Sequence, residues 1–289
     1  MTCRQCRKVN VQLPSSRAEL DKLKFWFQSG EAVAIVRVVE ARGSTPRGTD
    51  ALMAVTGKEL AGTIGGGQLE WLAIAKAREL LASNASTASL EIPLGPQIGQ
   101  CCGGHVQLHI LRFDRHQLEL IENQIARQRA GQRQVLVFGA GHTGKALAQA
   151  LAPLPVQVIL IDSRLGSMDD IAAGAEARYI AMPETAVRNA SSGSAFVVMT
   201  HLHDLDFLII AEALARDDAS YCGMIGSATK RAVFVNWLEA NGYEKALAGR
   251  LVCPIGGSLV QDKRPQVIAA LAAAEILTSF YVAGNAETR

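Results

Sequence analysis

Aromatic side chains make up only 5% of the 289 residues, which argues against an all-β, lectin-like fold. Ala, Gly, Val and Leu are abundant instead, the balance expected of helices packed closely on a parallel sheet. An excess of charge is missing too. The 29 Lys and Arg face 27 Asp and Glu, a net of +2, so no strong field recruits nucleic acid or an anionic membrane unaided. The basic start Met1-Thr2-Cys3-Arg4-Gln5-Cys6-Arg7-Lys8 runs into polar residues and Pro14 without the apolar segment of a secretory signal. Cysteine is scarce, six in all, with Cys101 and Cys102 adjacent. That is no secreted disulfide framework, and it predicts a reducing, cytoplasmic setting. The longest apolar stretch, 267–284, is interrupted by Glu275 and is largely alanine. It predicts a buried helix or a subunit contact, not a membrane span.

What is present suffices for a folded chain: hydrophobic residues make up 49%, more than a disordered chain carries. At roughly 150 residues per domain, the length suggests about two domains. The β-branched run 32–40 reads as a strand that stops at the breaker cluster 42–48. A second strand follows at 51–55, and a helix over about 68–82 follows the glycines near 65. Residues 105–113 alternate, with Val106, Leu108 and Ile110 on one face, as in a half-buried strand. Leu118, Ile121 and Ile125 mark a helix ending near Gly131. The boundaries are therefore a flexible tail at 1–17, a first domain at 18–130 and a second at 131–289. The second domain reads as strand 135–138, a glycine turn, a helix to Leu151 and strand 156–161. Apolar runs at 195–199 and 219–223 alternate with helical patterns at 205–215 and 229–240. A closing helix runs from about 264 to 281. This is the grammar of a doubly wound parallel sheet.

Three constellations carry chemistry. Gly139-Ala140-Gly141-His142-Thr143-Gly144 follows a strand and opens a helix, with Asp162 ending the next strand. Such a turn offers N–H groups and a positive dipole end to a phosphate, and Asp162 an acceptor for a ribose diol; alternatively the glycines only permit close packing. His142 adds a bulky titratable donor, unusual in a plain dinucleotide turn. The loop 95–105 delivers Cys101 and Cys102 between glycines, after Gln100 and before Gly103. Its thiols are either soft ligands for a metal or sulfur centre or small apolar fillers of a tight turn. Ser44-Thr45-Pro46-Arg47 and Thr63-Ile64-Gly65-Gly66-Gly67 combine hydroxyls, backbone donors and a guanidinium suited to an anion. Glu70 is either a capping acid there or functional. Cys3 and Cys6 form half a zinc pattern on the tail. Thr200-His201-Leu202-His203-Asp204 only partly matches a dinuclear metal box, because Leu205 and Asp206 stand where Asp and His are needed. Asp204 is expected to cap the following helix.

Taken together, 43–48, 62–70 and 99–104 resemble the amino-terminal half of the XdhC family, the xanthine dehydrogenase accessory proteins. Phe138–Gly144, Met199–His203, Gly223–Arg231 and Pro254-Ile255-Gly256 resemble its Rossmann-like carboxyl domain, and the likeness runs from about Ala18 to Leu277. It implies an α/β chain: an α+β domain of XdhC/CoxI type, then a Rossmann-like doubly wound parallel sheet. It also implies a non-catalytic chaperone that binds molybdenum cofactor (molybdopterin) during sulfuration by a cysteine desulfurase. The chaperone then delivers the cofactor to the molybdenum subunit of apo xanthine dehydrogenase. On that reading Cys101 and Cys102 are the candidate molybdenum contacts, with Gln100, Gly103, Thr45, Arg47, Gly65 and Gly66 beside them. Gly139, Gly141, His142, Gly144, Asp162 and His201 form the other wall, and the apolar closing helix suggests a homodimer. The alternative is an NAD(P)-dependent oxidoreductase using the 139–144 turn and Asp162. Behind both stands a metal-dependent hydrolase using His201 and His203.

Overall fold

Ten consecutive residues, Val33–Arg42, form β1, and the apolar side chains of its first six residues alternate between two cores. Ala34, Val36 and Val38 face one, and Val33 and Ile35 the other. A strand buried on both faces shows a continuous apolar run instead of alternating hydropathy. In this computed structural model the described residues are 17–49, 51–83, 85–95, 103–113, 118–164 and 166–284. Cys3, Cys6, Gln100, Cys101 and Cys102 lie outside them. The chain divides into two units, Met1–Gly131 and Gln132–Arg289.

In the first unit β1 is the middle of an antiparallel sheet with β2 (Leu52–Val55), β3 (Leu60–Thr63), β4 (Thr87–Leu94) and β5 (Gly104–Phe113), ordered β3-β2-β1-β5-β4. Helix α1 (Arg17–Gln28) packs Leu20, Leu23, Trp26 and Phe27 on one face, joined by Ile125 of α3 (Leu118–Ala130). Helix α2 (Gly67–Ala82) covers the other face with Leu69, Ala73, Ala77 and Leu80, against Val106, Leu108 and Ile110 of β5. The alternation read in 105–113 is thus the pleat of β5. A register shift between Val38 and Glu40 bends β1 just before its end.

The second unit holds a parallel sheet of β6 (Arg133–Phe138), β7 (Val156–Asp162), β8 (Ala175–Tyr179), β9 (Ala195–Val198), β10 (Tyr221–Met224) and β11 (Leu251–Val252). Their order, β11-β10-β9-β6-β7-β8, is that of a Rossmann fold, with its switch point between β6 and β9. Along β6, Val135 and Val137 face α4 (His142–Leu151) and α8 (Pro265–Gly284). Leu136 and Phe138 face α5 (Glu184–Arg188), α6 (His203–Ala215) and α7 (Ala228–Ala240). Two separate cores sandwich the sheet, as the alternation of strands and helices in the sequence requires.

Helix α8 is long and apolar enough to cross a membrane by length and composition. Ala269, Ala272, Ala273, Ile276 and Phe280 are buried within this unit's core. Glu275, which interrupts the apolar run, accepts hydrogen bonds from the Tyr221 hydroxyl (2.7 Å) and the Gly256 N–H (3.0 Å). Burial, followed by this carboxylate, drives the Tyr221 phenol far above its usual range, so it stays a neutral donor.

Candidate functional site

The residues singled out by sequence fall into two sets, one on each unit. On the first, five strand ends share one sheet edge. Arg42 pairs with His105, Leu52 with Thr63, and Leu94 with Gly104. The turn after β1 and the re-entry into β5 touch directly. Ser44 bridges Gly103, and a Cβ on Gly104 would stand 2.3 Å from the Ser44 carbonyl oxygen, so only glycine fits. Gly65, at φ +130°, lies under the Pro46 ring, where a Cβ would come within 2.6 Å of its Cβ. Thr45 and Arg47, half-buried and exposed, therefore sit beside Gly65, Gly66 and Gly103. The segment carrying Gln100, Cys101 and Cys102 leaves this edge at Gly95 and returns to it at Gly103.

Glu70 resolves the choice left by its position. Its Oε1 accepts from the Thr63 hydroxyl and from the N–H groups of Ile64 (3.0 Å) and Gly65 (3.3 Å). Burial alone would raise its pKa, but these bonds, with one from Gly66, hold it below the usual carboxylate value. The carboxylate thus already occupies the anion position of the 63–66 turn, contrary to the expectation that this backbone would serve an anionic ligand. Arg47 and the half-buried Thr45 are among the polar groups left there, with the exposed Ser44 beside them. Replacing Glu70 with Gln is expected to cost about 1 kcal/mol, since one charge-assisted acceptor becomes neutral. Urea unfolding of the two proteins checks this, and no change in midpoint would mean the turn holds itself.

On the second unit, Gly139, Gly141, His142 and Gly144 lie at the carboxyl end of β6, Asp162 at that of β7 and His201 beyond β9. Gly139, at φ +110°, runs against the Met199 carbonyl, and Gly144 against the Gly139 carbonyl, where a Cβ would come within 1.8 Å. His142 and His201 are exposed. A small crevice, open to solvent, lies here against Phe138, Ile161, Asp162, Pro183, Thr200 and His201.

Asp162, 4% exposed, is fully engaged. Oδ2 accepts from the Ala140 N–H (2.7 Å) and Arg164 Nη2 (2.9 Å), and Oδ1 from the Arg164 N–H (2.9 Å) and Nε (3.0 Å). Burial opposes ionisation, but the Arg164 and Ala140 bonds outweigh it and bring the pKa down to about 2. Sequence reasoning misses Arg164, although an arginine two residues beyond an acid at a strand end has the reach for this fork.

The expectation for Asp204 is corrected. The N-cap of α6 is Leu202, with no side-chain cap. Asp206, fully buried, accepts from the Thr200 N–H (2.8 Å) and pairs with Lys230 Nζ, which also donates to the Ile225 carbonyl (3.0 Å). The acid that organises the loop thus sits one turn into the helix, where it reaches back to Thr200. Among the described residues no group of three or more His, Cys, Asp or Glu is placed to hold a metal, His201 and His203 included.

Comparison with known proteins agrees with this division. Residues 26–92 match the model of the XdhC and CoxI family, and residues 135–276 that of the XdhC Rossmann domain. The uncharacterized protein YqeB of Escherichia coli K12 is 25% identical over 257 residues. That stretch is 84% of this chain and 43% of YqeB, so the chain spans less than half of that relative. A crystal structure of a Bacillus halodurans protein, named as a xanthine dehydrogenase, superposes with a TM-score of 0.73. It covers 91% of this chain and 96% of that one at 14% identity, a likeness of fold. With one family match in each unit, the chain belongs to the XdhC family.

Proposed function

We propose that this protein is an accessory factor in the maturation of a xanthine dehydrogenase-type molybdoenzyme, holding molybdenum cofactor as cargo and turning over no substrate itself. The observation that carries this reading is the convergence of the 43–48 turn, the 62–67 turn and both ends of the cysteine segment on one edge of the first sheet. The donor set suits the cargo. Thiolates of Cys101 and Cys102 are soft ligands for a molybdenum centre, and Arg47 and Thr45 suit the phosphate of the pterin. Gly66 and Gly103 have nothing within 4 Å of where a Cβ would stand, so a flat ligand can approach their backbone. A cysteine desulfurase supplies the terminal sulfur, and the apo molybdenum subunit receives the product. The setting is cytoplasmic, and a second copy packs on the outer face of α8, where Tyr281 and Val282 are exposed.

The test is retention of released molybdenum cofactor by the full chain after ultrafiltration, read as pterin and molybdenum. Wild type is expected to retain both. Replacing Cys101 and Cys102 together with Ala is expected to cut retention at least tenfold, while Cys253→Ala leaves it unchanged. Full retention by the double variant would overturn the thiol role, and no retention by wild type would overturn cofactor binding.

A further inference from the structure

The chain has three tryptophans, and the fold uses two of them. Trp26 is buried in the core under α1, and Trp237 packs against Phe207, Phe234 and Tyr243. Trp71 is 63% exposed and, among the described residues, has no ring or hydrogen-bond partner. Leu69, Ala73, Ala77 and Leu80 are the buried stripe of α2. A residue two positions beyond Leu69 falls about 200° around the helix from it, on the outer face. Helix geometry thus puts position 71 in water, where a short polar residue would serve. An indole there offers a large flat face and an N–H donor to something outside the fold.

What the indole faces is set by the turn before it. Helical side chains lean toward the amino terminus, so Trp71 covers the first turn of α2, which begins at Gly67 directly after Gly66. Neither glycine carries a side chain, and a Cβ on Gly66 would have nothing within 4 Å. The way from the indole to the sheet edge is therefore free of side chains from that turn. Along the edge the strand order β3-β2-β1-β5 puts the 63–67 turn at one end and the re-entry of the cysteine segment into β5 at the other. Thr45 and Arg47, after β1, come between them. Three strand spacings, about 14 Å, separate β3 from β5. No single group of a ligand meets both ends, so a ligand whose metal lies at the cysteine end meets Trp71 with another part. In molybdopterin the dithiolene and the phosphate arm share one ring, and the flat pterin projects from it on the far side. We propose that Trp71 is the platform on which this pterin stacks, with the Gly66 backbone at its edge. The inference rests on the cofactor reading above and adds the residue that recognises the ring.

A probe that carries the ring without phosphate or molybdenum, 6-hydroxymethylpterin, tests this apart from the thiols. Stacking on an indole quenches pterin emission by electron transfer, whereas stacking on a phenyl ring does not. The full wild-type chain is expected to bind the probe in equilibrium dialysis and to quench its emission. Trp71→Phe is expected to bind it with the emission restored. Trp71→Ala is expected to bind it at least fivefold more weakly, the size of loss seen when base–aromatic stacking is removed. A wild type that leaves the emission unchanged, a Trp71→Phe protein that still quenches it, or a Trp71→Ala protein that binds as tightly as wild type would each overturn the proposal. Retention of released molybdenum cofactor separates the two readings. Equal retention by wild type and Trp71→Ala would strike the role of Trp71 alone, and no retention by wild type would strike the cofactor reading and this role with it.

Discussion

Replacing Asp206 with Ala is expected to lower the unfolding free energy by about 3–5 kcal/mol, the cost of breaking a buried ion pair from one side. Asp206 is wholly buried and the Lys230 side chain is 10% exposed. Removal of the carboxylate leaves the ammonium facing the Ile225 carbonyl without its counter-charge, and takes away the acceptor of the Thr200 N–H. For a domain of this size the midpoint of thermal unfolding should fall by roughly 10 °C. Asp206→Asn should fall less, because an amide oxygen still accepts from Thr200. The double change Asp206→Ala with Lys230→Met should recover much of the loss, since no charge is then stranded. Circular dichroism melts of the four proteins decide it. A single Ala variant that melts within 2 °C of wild type would show that water reaches Lys230 and the pair is dispensable.

The second large effect is a dependence on acid. With Asp162 ionising at about 2 in the folded chain against an ordinary 3.8, folding holds the carboxylate charged to lower pH than the unfolded chain does. A depressed native pKa adds stability that is complete above the unfolded value and is lost as pH falls through the native one. The contribution is about 2 kcal/mol at neutral pH, and it fades between about pH 4 and pH 2. Asp162→Asn is therefore expected to be less stable than wild type by about that amount at pH 7, the gap closing at pH 2. Urea midpoints at pH 7, 4 and 2 give the comparison. A gap that stays constant across the series would assign the loss to packing and not to charge.

How much of this could be read from the residues varies with what each residue faces. Strand β5 is legible because one face is buried and the other is not, so Val106, Leu108 and Ile110 alternate with His105, Gln107 and His109. The unit from β6 through α4 to β7 is legible because its glycines punctuate it. Strand β8, Ala-Glu-Ala-Arg-Tyr, is half-buried to exposed throughout and gives no apolar signal; pairing with β7 makes it a strand. Strand β4 likewise is a sheet edge, with Pro93 tolerated there. The turns and strand ends that carry the described candidate residues were legible, but the side-chain partners found there were not. Glu70 filling its own turn and Arg164 filling Asp162 are side-chain meetings that spacing does not specify. Asp204 and Asp206 differ only by which of two acids lies where Thr200 can be reached.

The parity of β6 has a consequence for how this chain can change over generations. Val135 and Val137 fill one core, and Leu136 and Phe138 the other. Exchanging one branched residue for another alters a methyl group or two, which packed interiors absorb at modest cost. Losing or gaining a single codon within the strand would instead swap the faces of every later residue in it, forcing Phe138 into space shaped for valine. The glycine turn would move with them, off its contact with Met199. Point substitution and length change are therefore unequal paths here, and length variation among descendants of this sequence should be confined to the loops.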